Sequence, residues 1–160
     1  MFYLDLIRTL NEEGIRYLVV GGVAVNSHGV VRFTMDIDVA TDPEVNQSRE
    51  WESACDRLGL NPMRPVRFDQ MYDPVERSRL MVEKNLIAFG LISKNPEDPI
   101  VDVLFDQPRP FAAAYERRVV KDSGGVAIPL IAVSDLMAMK KAAGRAKDLI
   151  DMEELGKLPQ

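Results

Sequence analysis

The chain has 160 residues, of which 46% are hydrophobic and 28% charged, with a formal net charge of −5 and a pI near 5.0. That acidic balance argues against a broad nucleic-acid-binding face, a single cysteine excludes an internal disulfide, and no apolar run approaches the ~20 residues that span a bilayer. The length suits one domain, 1–160, able to bury about 70% of its unfolded surface without a structural metal. The lone Cys55 and the absence of a signal-like start point to the cytoplasm.

Met1–Glu13 places Phe2/Tyr3, Leu6/Ile7 and Leu10 at helical spacing, and Gly14 is a stop. Ile15–Val20 is an almost unbroken apolar run, the pattern of a central strand covered on both faces. Gly21–Ser27 reads as a short helix entered directly from that strand, ended by Gly29, and Met35–Ala40 as the second strand. Asp42, Pro43 and Glu44 spell a helix start, with Val45, Trp51, Ala54/Cys55 and Leu58 as its buried stripe and Gly59 as its stop. Asn61–Tyr72 holds two prolines and reads as a short strand with irregular flanks; Pro74–Lys84 is charged and reads as a helix or a loop. Leu86–Ile92 and Ile100–Phe105 are strands joined by a turn-rich linker, hence antiparallel. Pro110–Tyr115 fits one helical turn, and Val119–Val120 with Val126–Ile131 a hairpin. Ser134 caps a helix to Ala143, Gly144 breaks it, and Arg145–Leu158 forms the last helix. The expected fold class is α/β (α+β): a mixed β-sheet flanked by helices.

Asp36 and Asp38 lie two apart on the second strand, so both side chains share one face while Met35, Ile37 and Val39 face the core. Paired carboxylates repel unless a cation sits between them, and hard divalent ions accept carboxylate oxygens. Alone, the pair also suits the solvated face of an edge strand. Gly21-Gly22 adds backbone N–H groups at a helix N-terminus, where phosphate binds. The dinucleotide and P-loop motifs are both missing from this stretch. Asp102 lies inside the apolar strand Ile100–Phe105, and a buried carboxylate needs a partner. Asp106, on the same face by alternation, is the fallback third acid.

Gly21-Gly22, then Arg32-Phe33-Thr34-Met35-Asp36-Ile37-Asp38, then Val101-Asp102-Val103 resembles the nucleotidyltransferases related to DNA polymerase beta. Within that group, Gly21-Gly22-Val23-Ala24, His28-Gly29 and Arg32–Asp38 look most like small bacterial nucleotidyltransferases of abortive-infection and toxin–antitoxin systems. The resemblance covers Ile15–Asp42 well, Ile100–Asp106 adequately and the last two helices loosely. It implies a polymerase-beta-like core with two C-terminal helices. It implies a nucleoside triphosphate such as ATP as donor, Mg²⁺ in a two-metal site, and transfer of a nucleoside monophosphate with release of pyrophosphate. Asp36, Asp38 and Asp102 would then ligate the metals and carry catalysis, with Asp102 a candidate for the acceptor's proton. Gly21 and Gly22 would hold phosphates, and Arg32, Thr34, Lys140 and Lys147 would touch the nucleotide. For Lys147 a solvated pair with Asp151 at i,i+4 is the bland alternative, and for His28 and Asp148 a structural role. The acceptor stays open among RNA, protein and small molecule, with an antitoxin as a candidate partner. Family toxins carry a further helical domain that is missing here. Arg64, Arg67, Arg77 and Arg79 form either a basic rim for RNA or a solvated loop. Two other classes stay open: a non-catalytic nucleotide-binding or interaction module on the same fold, and a single-domain antibiotic nucleotidyltransferase.

Overall fold

The computed structural model describes residues 1–159. Its frame is a mixed seven-stranded sheet in the order β3-β4-β5-β2-β1-β7-β6. The helix α1 (Phe2–Glu12) buries Leu6, Ile7 and Leu10 on one stripe and leads into β1 (Tyr17–Val20), whose four residues are all buried. An all-apolar strand of this kind belongs in the sheet's middle, and β1 lies between β2 (Ile37–Thr41) and β7 (Val126–Leu130). It runs antiparallel to β2 and parallel to β7. The helix α2 (Gly21–His28) starts at the residue after β1 and ends at Gly29 in the left-handed conformation.

The remaining half of the sheet is built on β2. Parallel to it lies β5 (Val101–Leu104), and β4 (Phe89–Ser93) and then β3 (Leu60–Pro62) add antiparallel strands to the edge. The expected antiparallel pairing of the two middle strands therefore holds. At the other edge β6 (Val119–Ser123) and β7 form the expected hairpin. It closes through Gly124-Gly125, both at positive φ, the two-residue turn whose twist matches the strands.

Several boundaries depart from the sequence expectation. Asp42 caps no helix: α3 (Ser48–Leu58) begins later, with Gln47 before it. Asp42 is buried instead, accepting from Arg16 Nε at 2.9 Å and from the Glu44 backbone N–H at 3.0 Å. Gln47 accepts from the Arg16 N–H and donates to the Gly14 carbonyl, so the bend is tied to the entry of β1. Val45 is exposed rather than part of the buried stripe, whereas Trp51, Ala54 and Cys55 are buried as expected.

Asn61–Tyr72 is only briefly a strand. Most of it leads to a one-turn helix, α4 (Phe68–Tyr72), held by aromatic packing. Phe68 stacks on Trp51 at 5.3 Å between centroids and meets Phe89 edge-on at 4.6 Å. Tyr72 and Trp51 both reach the buried Thr41 hydroxyl, at 3.1 Å each. The charged Pro74–Lys84 stretch is helical, α5 (Pro74–Glu83), because Asp73 accepts from two first-turn N–H groups and Pro74 opens the helix.

A short helix, α6 (Phe111–Glu116), precedes the hairpin. The chain closes with α7 (Val133–Ala143) and α8 (Ala146–Gly156), which pack on each other and touch α2. Ser134 lies inside α7; the capping position is Ala132. Among the described residues no helix is long and apolar enough to cross a membrane.

Candidate functional site

The site forms where three elements leave the sheet. Parallel pairing of β2 and β5 sets Ile37 against Val101, Asp38 against Asp102 and Val39 against Val103. Because side chains alternate across a sheet, the valines and Ile37 enter the core while both carboxylates stand side by side on the other face. The two strands are adjacent and in register, which is what brings the two carboxylates together.

On the other flank of β2, Val20 pairs with Asp38 and the chain turns at Gly21 into α2. Gly21 has φ +62°, and a Cβ built there would overlap the Asp38 carboxylate. A side chain is thus excluded twice, by backbone conformation and by Asp38. Gly22 is buried against other atoms: a Cβ would lie 2.6 Å from Thr34 Oγ1 and 3.3 Å from Arg32 Cζ.

A cavity of about 520 Å³ opens over this face. Gly21, Asp38 and Asp102 form one wall; Lys140, Arg145 and Asp148, from the turn between α7 and α8, form the opposite one. Leu136 and Met139 make part of the remainder apolar. Burial, then the charges of Asp102 and Asp36, push the Asp38 carboxyl up to about 6, against the opposing pull of Lys147 and Arg145. Burial, then Asp36, also raises Asp102. The acids therefore bear on one another through their charges.

Asp36 departs from the sequence expectation. It stands one residue before β2 and is exposed, at the rim rather than on the strand. Met35, expected in the core, is 70% exposed. The strand begins only at Ile37, whose N–H donates to the Ile100 carbonyl at 2.9 Å.

The basic residues divide into two groups. Lys140 is buried, 2.7 Å from Asp151 Oδ2 and 3.4 Å from Asp148 Oδ1. Arg32 also reaches Asp151, at 2.5 Å, so Asp151 joins the segment before β2 to both last helices. The Lys147–Asp151 pair, the alternative to a nucleotide contact for Lys147, does not form; Asp151 is taken by Lys140 and Arg32. Asp148 accepts from the Arg145 N–H at 3.2 Å and from its Nε at 2.6 Å, closing the start of α8. Burial works to raise Asp148, but its hydrogen bond and charge contact with Arg145, and then Lys140, hold it below the ordinary range. Lys147 and Arg145 are exposed, with their charges felt at Asp38. Arg145 lines the cavity and was missed from sequence as a site residue; its signal was its place among the four cations Lys140, Lys141, Arg145 and Lys147.

Other candidates lie elsewhere. His28 Nε2–H donates to the Ile131 carbonyl at 2.7 Å, a structural bond. Asp106 pairs with Arg109. Of the four middle arginines, Arg67 pairs with Asp69 and Arg79 with Glu76 and Glu83, while Arg77 and Arg64 donate to carbonyls.

Among the described residues, no three His, Cys, Asp or Glu side chains stand close enough to cage a metal ion. Mg²⁺ is commonly held by one or two carboxylates completed by substrate phosphates. The Asp38–Asp102 pair, open to a cavity with cations opposite, fits that kind of site.

No family model and no curated protein sequence matches the chain. Solved structures do. The lincomycin-bound lincosamide antibiotic adenylyltransferase LnuA is 12% identical with a TM-score of 0.64, over 99% of this chain and 96% of that one. The antibiotic-resistance factor ANT(2'')-Ia matches in its solution structure at 13% identity and TM-score 0.62, over 96% of this chain and 80% of that one. Its crystal structure with adenylyl-2''-tobramycin matches at 14% identity and TM-score 0.59, over 94% and 83%. The fold is that of these antibiotic nucleotidyltransferases. Its mixed sheet and flanking helices are the architecture expected from the sequence.

Proposed function

We propose that the protein is a nucleotidyltransferase that moves a nucleoside monophosphate, AMP by preference, from a triphosphate to a hydroxyl of a small acceptor. The carrying observation is the in-register pair Asp38–Asp102 facing the cavity beside Gly21. The adenylyltransferase fold of the matched structures supports ATP as donor. Their tobramycin adduct and bound lincomycin favour a small acceptor over the RNA, protein or antitoxin partners that the sequence resemblance implies.

In this reading Asp38 and Asp102 would hold Mg²⁺, with Asp36 as a further carboxylate at the rim. The bound metal supplies charge that offsets the negative charge developing at phosphorus. The acceptor oxygen bonds to the α-phosphorus, the bond to the bridging oxygen breaks, and pyrophosphate leaves. The hydroxyl proton passes to Asp102 or to water. Arg145 and Lys147 neutralise phosphate charge from the helix side. Lys140, held by Asp148 and Asp151, orients that side, with Arg32 beyond it.

Labelled ATP, GTP, CTP and UTP with Mg²⁺, offered lincosamide, aminoglycoside and simpler alcohols, test the reading through pyrophosphate release. Nucleotide binding with no release for any acceptor would leave the second reading, a non-catalytic nucleotide-binding module.

A further inference from the structure

Asp102 borders two cavities. One is the cavity shared with Asp38, Lys140 and Arg145. The other, of about 190 Å³, adjoins it at Ala88 and Asp102 and is further bounded by Met63, Arg64, Leu86 and Gly90. The two differ in chemistry. The larger sets cations against acids and suits a polyphosphate with its metal. The smaller has apolar walls from Met63, Leu86 and Ala88 and a single cation, Arg64, while the Phe89 ring turns to the other face of the sheet against Phe68.

Gly90 is the register partner of Asp102 on β4. A Cβ there would lie 3.3 Å from Asp102 Oδ1 and 2.8 Å from Met63 Sδ. The flexible Met63 side chain takes the space that a side chain at Gly90 would fill, so a movable thioether rather than a fixed side chain stands beside Asp102. Arg64 Nη1 donates to the Lys84 carbonyl at 3.0 Å, which anchors the guanidinium and leaves most of its five donors unused. Among the described residues neither Arg64 nor Lys84 has a carboxylate partner, whereas nearby Arg67 and Arg79 do. Among the described residues Arg64 is thus the one cation lining the smaller cavity, across from Asp102 as its one acid, and no carboxylate is paired with its guanidinium.

We propose that the smaller cavity is the acceptor subsite, and that it takes a small alcohol with an apolar body and an anionic group. The hydroxyl lies at Asp102, the body between Met63, Leu86 and Ala88, and the anion on Arg64. This rests on the nucleotidyltransferase reading. The alcohol oxygen would reach the α-phosphorus of a nucleotide held across Asp102, displacing pyrophosphate, with the proton leaving to Asp102 or water.

Three matched alcohols test it: 4-(hydroxymethyl)benzoate, 4-(hydroxymethyl)benzamide and 4-(aminomethyl)benzyl alcohol. Binding to the full chain is read from amide NMR shifts, and AMP transfer from ATP with Mg²⁺ is read separately. The benzoate should move the Gly90 and Phe89 signals and bind about tenfold tighter than the amide, with the amine weakest. Arg64→Gln should erase that order, and Arg67→Gln should keep it. No benzoate shift at Gly90 at millimolar concentration, equal binding of the three, preference for the amine, or an order that survives Arg64→Gln would each overturn the subsite. Charge-selective binding without AMP transfer would instead support the subsite and remove the transferase reading. Transfer to the neutral or cationic alcohol without carboxylate preference would do the reverse.

Discussion

Gly21 has no side chain where the Asp38 carboxylate sits, and its backbone adopts φ +62°. The turn that opens α2 and the acid on β2 are thus one packing unit. Gly21→Ala has to tolerate both an unfavourable conformation and an overlap. The expected cost is about 2 kcal/mol or more, a fall in Tm of roughly 4–8 °C. Thermal unfolding checks it; an unchanged Tm would mean that Asp38 moves aside freely.

Asp38→Asn and Asp102→Asn should separate stability from activity. Each removes a charge that repels its neighbours, so the fold should keep or gain stability at pH 7. Turnover should drop on the order of 100-fold or more, since each removes a hard oxygen ligand and its charge. Pyrophosphate release in Mg²⁺ reads this directly, and wild-type rates in either variant would remove the acids from the site.

The raised Asp38 carboxyl also sets a pH dependence. Its ordinary value of 3.8 rises to about 6 on folding. Between those values the folded protein holds a proton that the unfolded chain has released. The stability from this group is complete below pH 3.8 and is lost as pH rises through about 6. In metal-free protein, denaturant unfolding should show Asp38→Asn gaining on the wild type from pH 5 to pH 7. A difference that stays flat across that window would mean Asp38 titrates normally.

Lys140→Met tests the buried network. Lys140, Asp148 and Asp151 are all nearly inaccessible, so removing the cation leaves carboxylates short of a partner. Arg145 and Arg32 still reach them, which limits the loss to about 3 kcal/mol, or roughly 6–12 °C in Tm. A Tm within two degrees of wild type, by calorimetry, would assign the network no net stabilising role.

The segment before β2 presents Val31, Phe33 and Met35 to solvent at 100%, 82% and 70% exposure. Phe33→Ser and Met35→Ser should therefore change stability by no more than about 0.5 kcal/mol. A larger destabilisation of Met35→Ser in urea titration would return Met35 to the core position that its alternation with Ile37 suggests.

What neighbouring residues control was legible in the sequence. The apolar run of β1, the Gly-Gly turn into α2, the Asp38 side of β2 and the Gly-Gly hairpin depend on local φ preference and period-two alternation, and all are present. Partnership across the chain was decided only by tertiary packing. Thr34 and Arg32 fill the space beside Gly22; Asp151 abandons Lys147 for Lys140 and Arg32; aromatic stacking on Trp51 makes a helix of Phe68–Tyr72. Asp42 has the chemistry of a helix cap, but Arg16 draws it inward and the helix starts later. The reason is energetic. A cap or a period contributes about 1 kcal/mol through adjacent atoms, whereas burying a charge or an aromatic ring costs or contributes several, and only the folded chain determines what lies beside it.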